Sequence, residues 1–376
     1  MLDDAYIGLM SGTSLDGVDG VLMVWPDGRA SPRVIASASL AFPAALRLAF
    51  LELNQPGENE LHRAAQAAHA LTSLYADLVQ ELLQQAGVSP ADVRAIGAHG
   101  QTVRHQPPGT ASAAPYTIQL NQPALLAERC GITVVADFRS RDIAAGGQGA
   151  PLVPAFHRHI FGRTGHSVAV VNIGGMANIT ALPASGPVRG LDTGPGNVLM
   201  DLWCHRHTGA WFDDDGRWAA SGTVDASLLA HLLQTPYFHQ KGVKSTGRDL
   251  FHAAWLDTLL QDHAHLAPAD VQATLTALTA RTIADTLCAW DWEGSPLSQV
   301  WVCGGGSRNT TLMRMLSQAL PQVPVQASDA AGWPAHWVEP AAFAWLARQT
   351  ILGLPGNLPS VTGAAGPRVL GAIYPA

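Results

Sequence analysis

Hydrophobic residues recur along this chain with two periods, one typical of strands and one typical of helices. Apolar runs at 6–10 and 18–24 flank a short turn, which predicts a strand–turn–strand. From Glu60 to Ala86 the apolar positions follow a helical spacing, and Gly87 offers a natural helix stop. The next predicted elements are a loop over 99–105, strands over 93–98, 116–120 and 132–136, and helices within 40–53 and over 123–130. This alternation of strands and helices indicates an α/β fold.

The second half of the chain opens on the same pattern as the first. Apolar runs at 168–173 and 177–182 flank Gly174 and Gly175, so the chain reads as two similar halves that each begin with a hairpin. The remaining predicted elements are a strand, turn and helix over 190–201, a helix over 271–290, a strand over 300–303, helices over 309–320 and 339–352, and a strand over 369–373.

Composition and charge limit the classes of function. The 376 residues are 47% hydrophobic and 14% charged, which suits two folded domains with large cores. A net charge of −7 gives no general basic surface, so we expect no nucleic-acid partner. No apolar run approaches a membrane span, and residues 1–4 lack a basic signal-peptide region. Four widely spaced cysteines fit reduced thiols and a cytoplasmic location.

A glycine-rich segment over 137–151 is the predicted hinge between two lobes. We expect residues 1–136 and 353–376 to form the N-terminal lobe, and residues 137–352 to form the C-terminal lobe. The hinge also holds a cluster of four charges in a nearly uncharged region. The alternative is a solvated connector whose charges pair internally. The four charged residues are Asp137, Arg139, Arg141 and Asp142.

The first turn, Ser11–Gly17, contains two glycines and three hydroxyl residues. Such a turn can aim backbone N–H groups and hydroxyls at one anion, which favours a phosphate. It is not a P-loop, because no Gly-Lys-Ser/Thr follows its glycines. The alternative is an ordinary hairpin with a long loop.

Three consecutive glycines follow the strand over 300–303. Gly304, Gly305 and Gly306 would let a ligand lie against the backbone before a helix N-terminus. The spacing lacks the GxGxxG pattern of dinucleotide-binding folds. The alternative is a tight strand–helix turn with Ser307 as the helix cap.

Asp192 stands where a predicted strand ends, before Thr-Gly-Pro-Gly-Asn and a helix. A carboxylate at the mouth of a cleft can bind a metal or accept a proton from a nucleophile. The alternative is that Asp192 caps the helix that follows.

Only two of the 22 basic residues are lysines, Lys241 and Lys244, so these two positions are candidates for a site that needs an ammonium group. We favour a functional role for Lys244, since Ser-Thr-Gly and Arg248 follow it; chance clustering in a solvated loop is the alternative for Lys241. His99, Gln101 and Arg104 offer donors to a sugar or a carboxylate, although any single histidine is more often structural. The two hairpins, the glycine-rich turn at 304–306 and Asp192 together predict a two-lobed sugar kinase.

Eight motifs resemble those of the anhydro-N-acetylmuramic acid kinase family, in collinear order over nearly the whole chain. They are SGTSLDGVD (11–19), GAHGQTVRH (97–105), DFRSRDIAAGGQGAPLVPAFH (137–157), VNIGGMANIT (171–180), LDTGPGN (191–197), KSTGRDLF (244–251), CGGGSRN (303–309) and GLPGNLPSVTGA (353–364).

The resemblance implies an α/β, two-lobed, actin-like ATPase fold of the ribonuclease H-like kind, with mixed sheets and an active-site cleft between the lobes. It implies a kinase that uses ATP, Mg²⁺ and water to convert 1,6-anhydro-N-acetylmuramic acid into N-acetylmuramic acid 6-phosphate during peptidoglycan recycling, and that forms a homodimer. The residue that matches the family's general base is Asp192.

The resemblance and the motifs together assign the remaining site residues. Residues 12–19 match the ATP-binding stretch, and Asp16 and Asp19 are our hypothesis for the Mg²⁺ ligands. The nucleotide-binding residues are Gly12, Thr13, Ser14, Leu15, Asp16, Gly17, Val18, Asp19, Gly174, Gly175, Gly304, Gly305 and Gly306. The sugar-binding residues are His99, Gln101, Arg139, Lys244, Arg248 and Glu339.

The chain departs from the family pattern at two places. Before the C-terminal helix the family usually carries Asp-x-x-Glu-Ala, whereas this chain has His336, Glu339 and Pro340. A histidine there would make sugar affinity depend on pH. After Gln119 the family usually shows Gly and Asp, and this chain has Asn121 and Gln122.

Two other functions stay open from the residues alone. A conventional hexose or amino-sugar kinase would phosphorylate a free 6-hydroxyl without water, and ¹⁸O incorporation at C1 separates it from the anhydrosugar reaction. A nucleotide-gated binding or scaffold protein would bind ATP tightly and form no ADP with any muramyl sugar.

Overall fold

The computed structural model describes residues 4–12, 15–26, 32–110, 114–240, 244, 246–247 and 250–376. Strands and helices alternate along the chain, as the sequence pattern predicts. The strands are β1 (Ala5–Ser11), β2 (Gly17–Val24), β3 (Arg33–Ala41), β4 (Val93–Ala98), β5 (Gln101–Gln106), β6 (Tyr116–Leu120), β7 (Val134–Ala136), β8 (Ser167–Ile173), β9 (Met176–Leu182), β10 (Arg189–Pro195), β11 (Leu297–Cys303), β12 (Val325–Ala327) and β13 (Ala372–Tyr374).

The helices predicted over 60–86, 123–130, 271–290, 309–320 and 339–352 are present, together with several that were not predicted from the sequence. They are α1 (Ala44–Leu53), α2 (Glu60–Ala86), α3 (Pro123–Cys130), α4 (Ser140–Ala144), α5 (Val153–Phe161), α6 (Val198–Thr208), α7 (Arg217–Ser221), α8 (Ala226–Leu233), α9 (Ala253–Leu260), α10 (Pro268–Ala289), α11 (Thr310–Ala319), α12 (Val338–Ile351) and α13 (Pro359–Thr362). Helix α2 has the predicted bounds, and it ends at Gly87, whose left-handed φ of 64° only glycine adopts freely.

The chain divides into two compact units. The first comprises 1–160 and 337–376, and the second comprises 161–336. These bounds differ from the predicted lobes, 1–136 with 353–376 and 137–352. The predicted hinge lies inside the first unit because the carboxylate of Asp142 is fully buried there, where it accepts hydrogen bonds from Asn357 and Thr362.

Helix α12 belongs to the first unit, although the sequence interpretation placed it in the C-terminal lobe. It packs against β1 at Gly8 and against β4 at Gly97. A Cβ at Gly8 would lie 1.9 Å from the carbonyl oxygen of Pro340, and one at Gly97 would lie 2.1 Å from that of Phe343. Helix and sheet therefore approach so closely that only glycine fits at these two positions.

The first unit contains a sheet with the strand order β13-β7-β4-β1-β2-β3. Strands β1, β2 and β3 form an antiparallel meander, and β4 and β7 continue the sheet in parallel. Residues 101–105, predicted as part of a loop, lie in β5, which pairs with β6 in a separate two-stranded sheet. The loop prediction was wrong because Val103 is the only apolar residue of β5, so no apolar alternation marks it as a strand.

The second unit contains a sheet with the order β10-β9-β8-β11-β12. Its first three strands are antiparallel neighbours, and β11 and β12 continue it in parallel. The first five strands of each sheet thus have the same order, third-second-first-fourth-fifth, with the second antiparallel to the other four, and β13 adds a sixth strand antiparallel to β7 in the first sheet. This is the ribonuclease H-like arrangement, so that part of the predicted fold class is confirmed.

Each unit has its own apolar core. In the first unit the core lies between the sheet and α1 and α2, and in the second it lies among the sheet, α6 and α10. Among the described residues, no helix combines the length and the apolar character needed to cross a bilayer.

Candidate active site

Asp192 is the middle residue of β10, the edge strand of the second sheet, and not the end of a strand as predicted. The pairing with β9 runs from Asp192 opposite Asn178 to Gly194 opposite Ala177, so β10 carries one extra residue there. Such a bulge bends a strand and changes the direction of a side chain. Helix α6 begins six residues later with Asn197 as its N-cap, so Asp192 does not cap it.

Three residues of one neighbouring segment bind Asp192. Its backbone N–H donates to the carbonyl of Lys244 (3.0 Å), and its carbonyl accepts from the hydroxyl of Tyr237 (2.8 Å). The backbone N–H of Thr246 donates to its Oδ2 (3.0 Å). These contacts fix the main chain at Asp192 and one of its two carboxylate oxygens.

The environment of Asp192 changes its acidity. Burial raises the pKa of its carboxyl from 3.8 to about 6, and the hydrogen bond from the Thr246 N–H partly opposes this rise. The group is therefore ionised at neutral pH while it remains a much stronger base than an exposed aspartate. A pKa close to the working pH is what a general base requires.

Lys244 lines a cavity of about 850 Å³ in the second unit, together with Leu191 and Thr193, the neighbours of Asp192 on β10. Its ammonium group donates to the carbonyl of Tyr237 (3.1 Å) and lies 4.6 Å from the centre of the Tyr237 ring. Burial lowers the pKa of the Lys244 amine. The cavity is bordered by β10, by the C-terminal half of α10 and by residues 238–240.

The turn between β8 and β9 consists of Gly174 and Gly175 alone. Their carbonyls accept hydrogen bonds from Gly196, Asn197 and Val198 at 2.8–3.1 Å, where β10 passes into α6. The turn is therefore held rigidly against the start of α6.

The three glycines after β11 pack against the end of β8. A Cβ at Gly304 would lie 2.4 Å from Oδ1 of Asn172, and one at Gly306 would lie 2.3 Å from Cγ2 of Ile173. Asn309, and not Ser307, caps α11, because its Oδ1 accepts from the N–H of Leu312 (2.9 Å). Gly305 is exposed, Gly304 is half-buried and Gly306 is buried, so backbone of this motif can reach a ligand only at its first two glycines.

The first turn lies at one end of the β1–β2 hairpin. Leu15 is buried with a left-handed φ of 59°, a strained conformation for a bulky residue. Its N–H donates to the carbonyl of Gly12 (3.3 Å), and the exposed Asp16 accepts from Phe42 through its carbonyl (3.0 Å). The predicted residues Thr13 and Ser14 lie outside the described residues.

Strand β2 carries the rest of the predicted ATP-binding stretch. Gly17 begins it, Val18 is buried in the core, and the Asp19 carboxylate accepts a hydrogen bond from the hydroxyl of Ser39. Mg²⁺ is usually held by one or two carboxylates together with phosphates and water. Asp16 and Asp19 stay the predicted carboxylates for that role, and the described residues contain no cluster of three or more His, Cys, Asp or Glu that could hold a metal ion.

Four of the predicted sugar-binding residues lie in the first unit. Arg139 donates from Nε (3.1 Å) and from Nη2 (2.9 Å) to Nε2 of His99, and from Nη1 to the carbonyl of Gly149 (2.8 Å). Burial lowers the pKa of Arg139 to about 10, and the charge of Glu339 opposes this. Gln101 accepts a hydrogen bond from the hydroxyl of Ser11.

His99 is a neutral acceptor in this cluster. Burial, and then the positive charge of Arg139, hold the pKa of its imidazole well below the usual range. Its ring packs on Phe343 of α12, with the ring centres 4.7 Å apart. His99, Arg139 and Glu339 therefore come together, whereas Arg248 lies outside the described residues.

Two residues of this site were not predicted from the sequence. Thr246 was included only as one residue of the KSTGRDLF motif and was assigned no role. Tyr237 lies 45 residues from Asp192 along the chain, and no pattern in the sequence points to it.

The family model for anhydro-N-acetylmuramic acid kinase matches residues 4–376. The chain belongs to the anhydro-N-acetylmuramic acid kinase family. An anhydro-N-acetylmuramic acid kinase of Bordetella petrii is 59% identical over 99% of this chain and 96% of its own. One of Cupriavidus pinatubonensis is 57% identical over 99% of this chain and 98% of its own.

Among solved structures, a ROK family glucokinase from Streptomyces griseus in complex with glucose and AMPPNP is similar over 92% of this chain and 99% of its own. The TM-score is 0.42 and the identity is 16%. The family assignment rests on the family model and on these relatives, which the chain matches over 96–98% of their own length. The match confirms the resemblance seen in the eight motifs.

Proposed function

We propose that this chain cleaves 1,6-anhydro-N-acetylmuramic acid with water and transfers the γ-phosphoryl group of ATP to O6. The products are N-acetylmuramic acid 6-phosphate and ADP, and the reaction serves peptidoglycan recycling. One observation carries the proposal: a chain of this family holds a partly buried carboxylate, Asp192, fixed at one oxygen and with a pKa of about 6.

Asp192 is the proposed general base. Oδ2 is held by the Thr246 N–H, which leaves Oδ1 to accept a proton from water. The water oxygen then bonds to C1 as the C1–O6 bond breaks, and the electron pair of that bond goes to O6. O6 attacks the γ-phosphorus, the bond to the ADP oxygen breaks, and Asp192 later returns its proton to solvent.

The glycine turns are the proposed phosphate contacts. They are residues 12–19 of the first unit, by resemblance, and the Gly174–Gly175 and Gly304–Gly306 motifs of the second, where no side chain beyond hydrogen covers the backbone of the glycines themselves. Mg²⁺, assigned to Asp16 and Asp19, would neutralise charge on the phosphates. Thr13 and Ser14 complete the first set by resemblance.

The cluster around Arg139 is the proposed site for polar groups of the sugar. Among the described residues, three of the five guanidinium N–H donors bind His99 and Gly149, so two are left for a ligand such as the lactyl carboxylate. Gln101 and Glu339 lie in the same unit as Arg139. Lys244 and Arg248 are the proposed contacts from the second unit.

The larger arrangement is also a proposal. The family resemblance supports two lobes with the substrates in a cleft between them, a homodimer, and a cytoplasmic location where ATP is available. Lobe closure over the substrates would exclude bulk water before phosphoryl transfer.

The reaction is tested with ¹⁸O-labelled water and the Asp192→Asn variant. We expect the wild-type protein to form ADP and to place one ¹⁸O at C1 of the product, analysed at once to limit exchange. Asp192→Asn should bind ATP normally and lose about three decades of turnover, because the base is missing.

Either of two results would contradict the proposal. ADP formation without label at C1 would mean a conventional sugar kinase, and near-normal kcat in Asp192→Asn would remove that carboxylate from the mechanism.

A further inference from the structure

Thr246 has a second polar group at the site besides the N–H that holds Asp192. Its hydroxyl oxygen Oγ1 is buried, and no described residue forms a hydrogen bond with it. Buried hydroxyls in proteins nearly always have a hydrogen-bond partner. A buried hydroxyl beside a proposed catalytic carboxylate therefore points to a partner that arrives with the substrates.

The position of this hydroxyl follows from covalent geometry. A threonine Oγ1 lies within about 4 Å of its own backbone nitrogen. That nitrogen is 3.0 Å from Oδ2 of Asp192. The hydroxyl and the carboxylate thus lie close enough to contact one small molecule between them.

The main chain at Asp192 is held firmly. Asp192 is bound at its N–H by Lys244 and at its carbonyl by Tyr237, and the Lys244 ammonium in turn binds the carbonyl of Tyr237. Thr246 is joined to this carboxylate by its own N–H, so the two groups can orient a ligand at little entropic cost.

We propose that Thr246 is a positioning residue that orients the nucleophilic water through its hydroxyl. One O–H of the water donates to Asp192, the other donates to Oγ1 of Thr246, and an oxygen lone pair is left facing C1. The proton goes to Asp192, and Thr246 neither gains nor loses one. This inference rests on the proposed function, since it needs water as the nucleophile.

The test compares two variants of the full chain. Thr246→Val deletes the hydroxyl and keeps the branched shape and the backbone N–H. Thr246→Ser keeps the hydroxyl and deletes the methyl. We expect kcat to fall about 10- to 100-fold in Thr246→Val and to stay within about threefold in Thr246→Ser.

Two further readouts distinguish positioning from a structural role. The KM values for ATP and for the anhydrosugar should stay within about threefold in Thr246→Val. The acid limb of the pH–kcat profile should keep its midpoint, because the N–H that tunes Asp192 is retained. If Thr246→Val does not fold, Thr246→Ala makes the same comparison.

Three results would overturn the inference. They are a normal kcat in Thr246→Val, an equal loss in Val and Ser variants, and a tenfold rise in the KM of the anhydrosugar with kcat unchanged. The last would mean that the hydroxyl binds the sugar. Wild-type ¹⁸O labelling at C1 separates these outcomes from a failure of the proposed function itself.

Discussion

The two sheets share one strand order but carry their carboxylates on different strands. In the first unit Asp19 of β2 pairs with Ser39 of β3, and in the second Asn178 of β9 pairs with Asp192 of β10. Asp19 thus occupies the position of Asn178, and Ser39 that of Asp192. A shared framework does not decide which position is chemically active; the residues packed around it do.

The surroundings of the two carboxylates explain the difference. Asp19 is half-buried and accepts a hydrogen bond from the exposed Ser39. Asp192 is bound by Tyr237, Lys244 and Thr246, and burial raises its pKa to about 6. The second unit therefore holds the group suited to proton transfer.

The turns of the two hairpins also differ, in their length and in how they are held. The second turn is two glycines held by the start of α6, whereas the first spans residues 12–16 and includes a strained, buried Leu15. The shorter turn is fixed by the fold. The longer one contains two hydroxyl residues in its sequence, Thr13 and Ser14.

The largest expected effect tests the rigidity of the second turn. A Cβ at Gly196 would lie 2.3 Å from the carbonyl oxygen of Gly174, with backbone on both sides of the contact. Gly196→Ala should therefore lower the free energy of unfolding by about 3 kcal/mol. Urea denaturation followed by tryptophan fluorescence measures it.

Gly175→Ala is the matched control for this prediction. A Cβ at Gly175 would meet no heavy atom of the described residues within 4 Å, so stability should change by less than about 0.5 kcal/mol. A Gly196→Ala protein as stable as Gly175→Ala would show that the second turn is not rigidly held.

The second prediction uses the raised pKa of Asp192. A carboxyl whose pKa is higher in the folded state favours folding in its protonated form, and that contribution is lost as pH rises through about 6. Asparagine is uncharged throughout. Asp192→Asn should therefore be more stable than wild type by about 2 kcal/mol at pH 8, with a gap below about 1 kcal/mol at pH 4.

Thermal or urea unfolding at the two pH values measures this gain, and Asp16→Asn is the control because Asp16 is exposed. A gain of equal size in both variants would mean that general charge reduction is responsible. No gain in Asp192→Asn at pH 8 would mean that burial does not penalise the ionised carboxylate.

Local patterns in the sequence predicted the strongly periodic elements, and contacts distant along the chain decide much of what they missed. The alternation at 6–24 and the spacing over 60–86 were sufficient for β1, β2 and α2, because period and capping are local properties. The contact between Asp192 and Thr246 spans 54 residues, and neither residue signals it. The motifs supplied Asp192 as a candidate; its pKa depends on burial that only the fold shows.

Local patterns in the sequence also could not predict which unit contains α12. The apolar run over 339–352 predicts a helix equally well in either unit. Its place is set by the close approach to Gly8 and Gly97, two glycines that in the sequence are only interruptions of strands. A glycine that admits another backbone cannot be distinguished by sequence from one that merely tolerates a turn.

The smallest expected effect concerns Ser39, the counterpart of Asp192. Ser39→Ala removes the hydroxyl that donates to Asp19, and since the pair is exposed, water replaces it. The free energy of unfolding should fall by only about 0.5 kcal/mol, measured by urea denaturation beside Ser37→Ala on the same strand. A loss above about 2 kcal/mol would mean that this position in the first sheet is as tightly built as its counterpart in the second, and that the contrast between the sheets does not arise from packing.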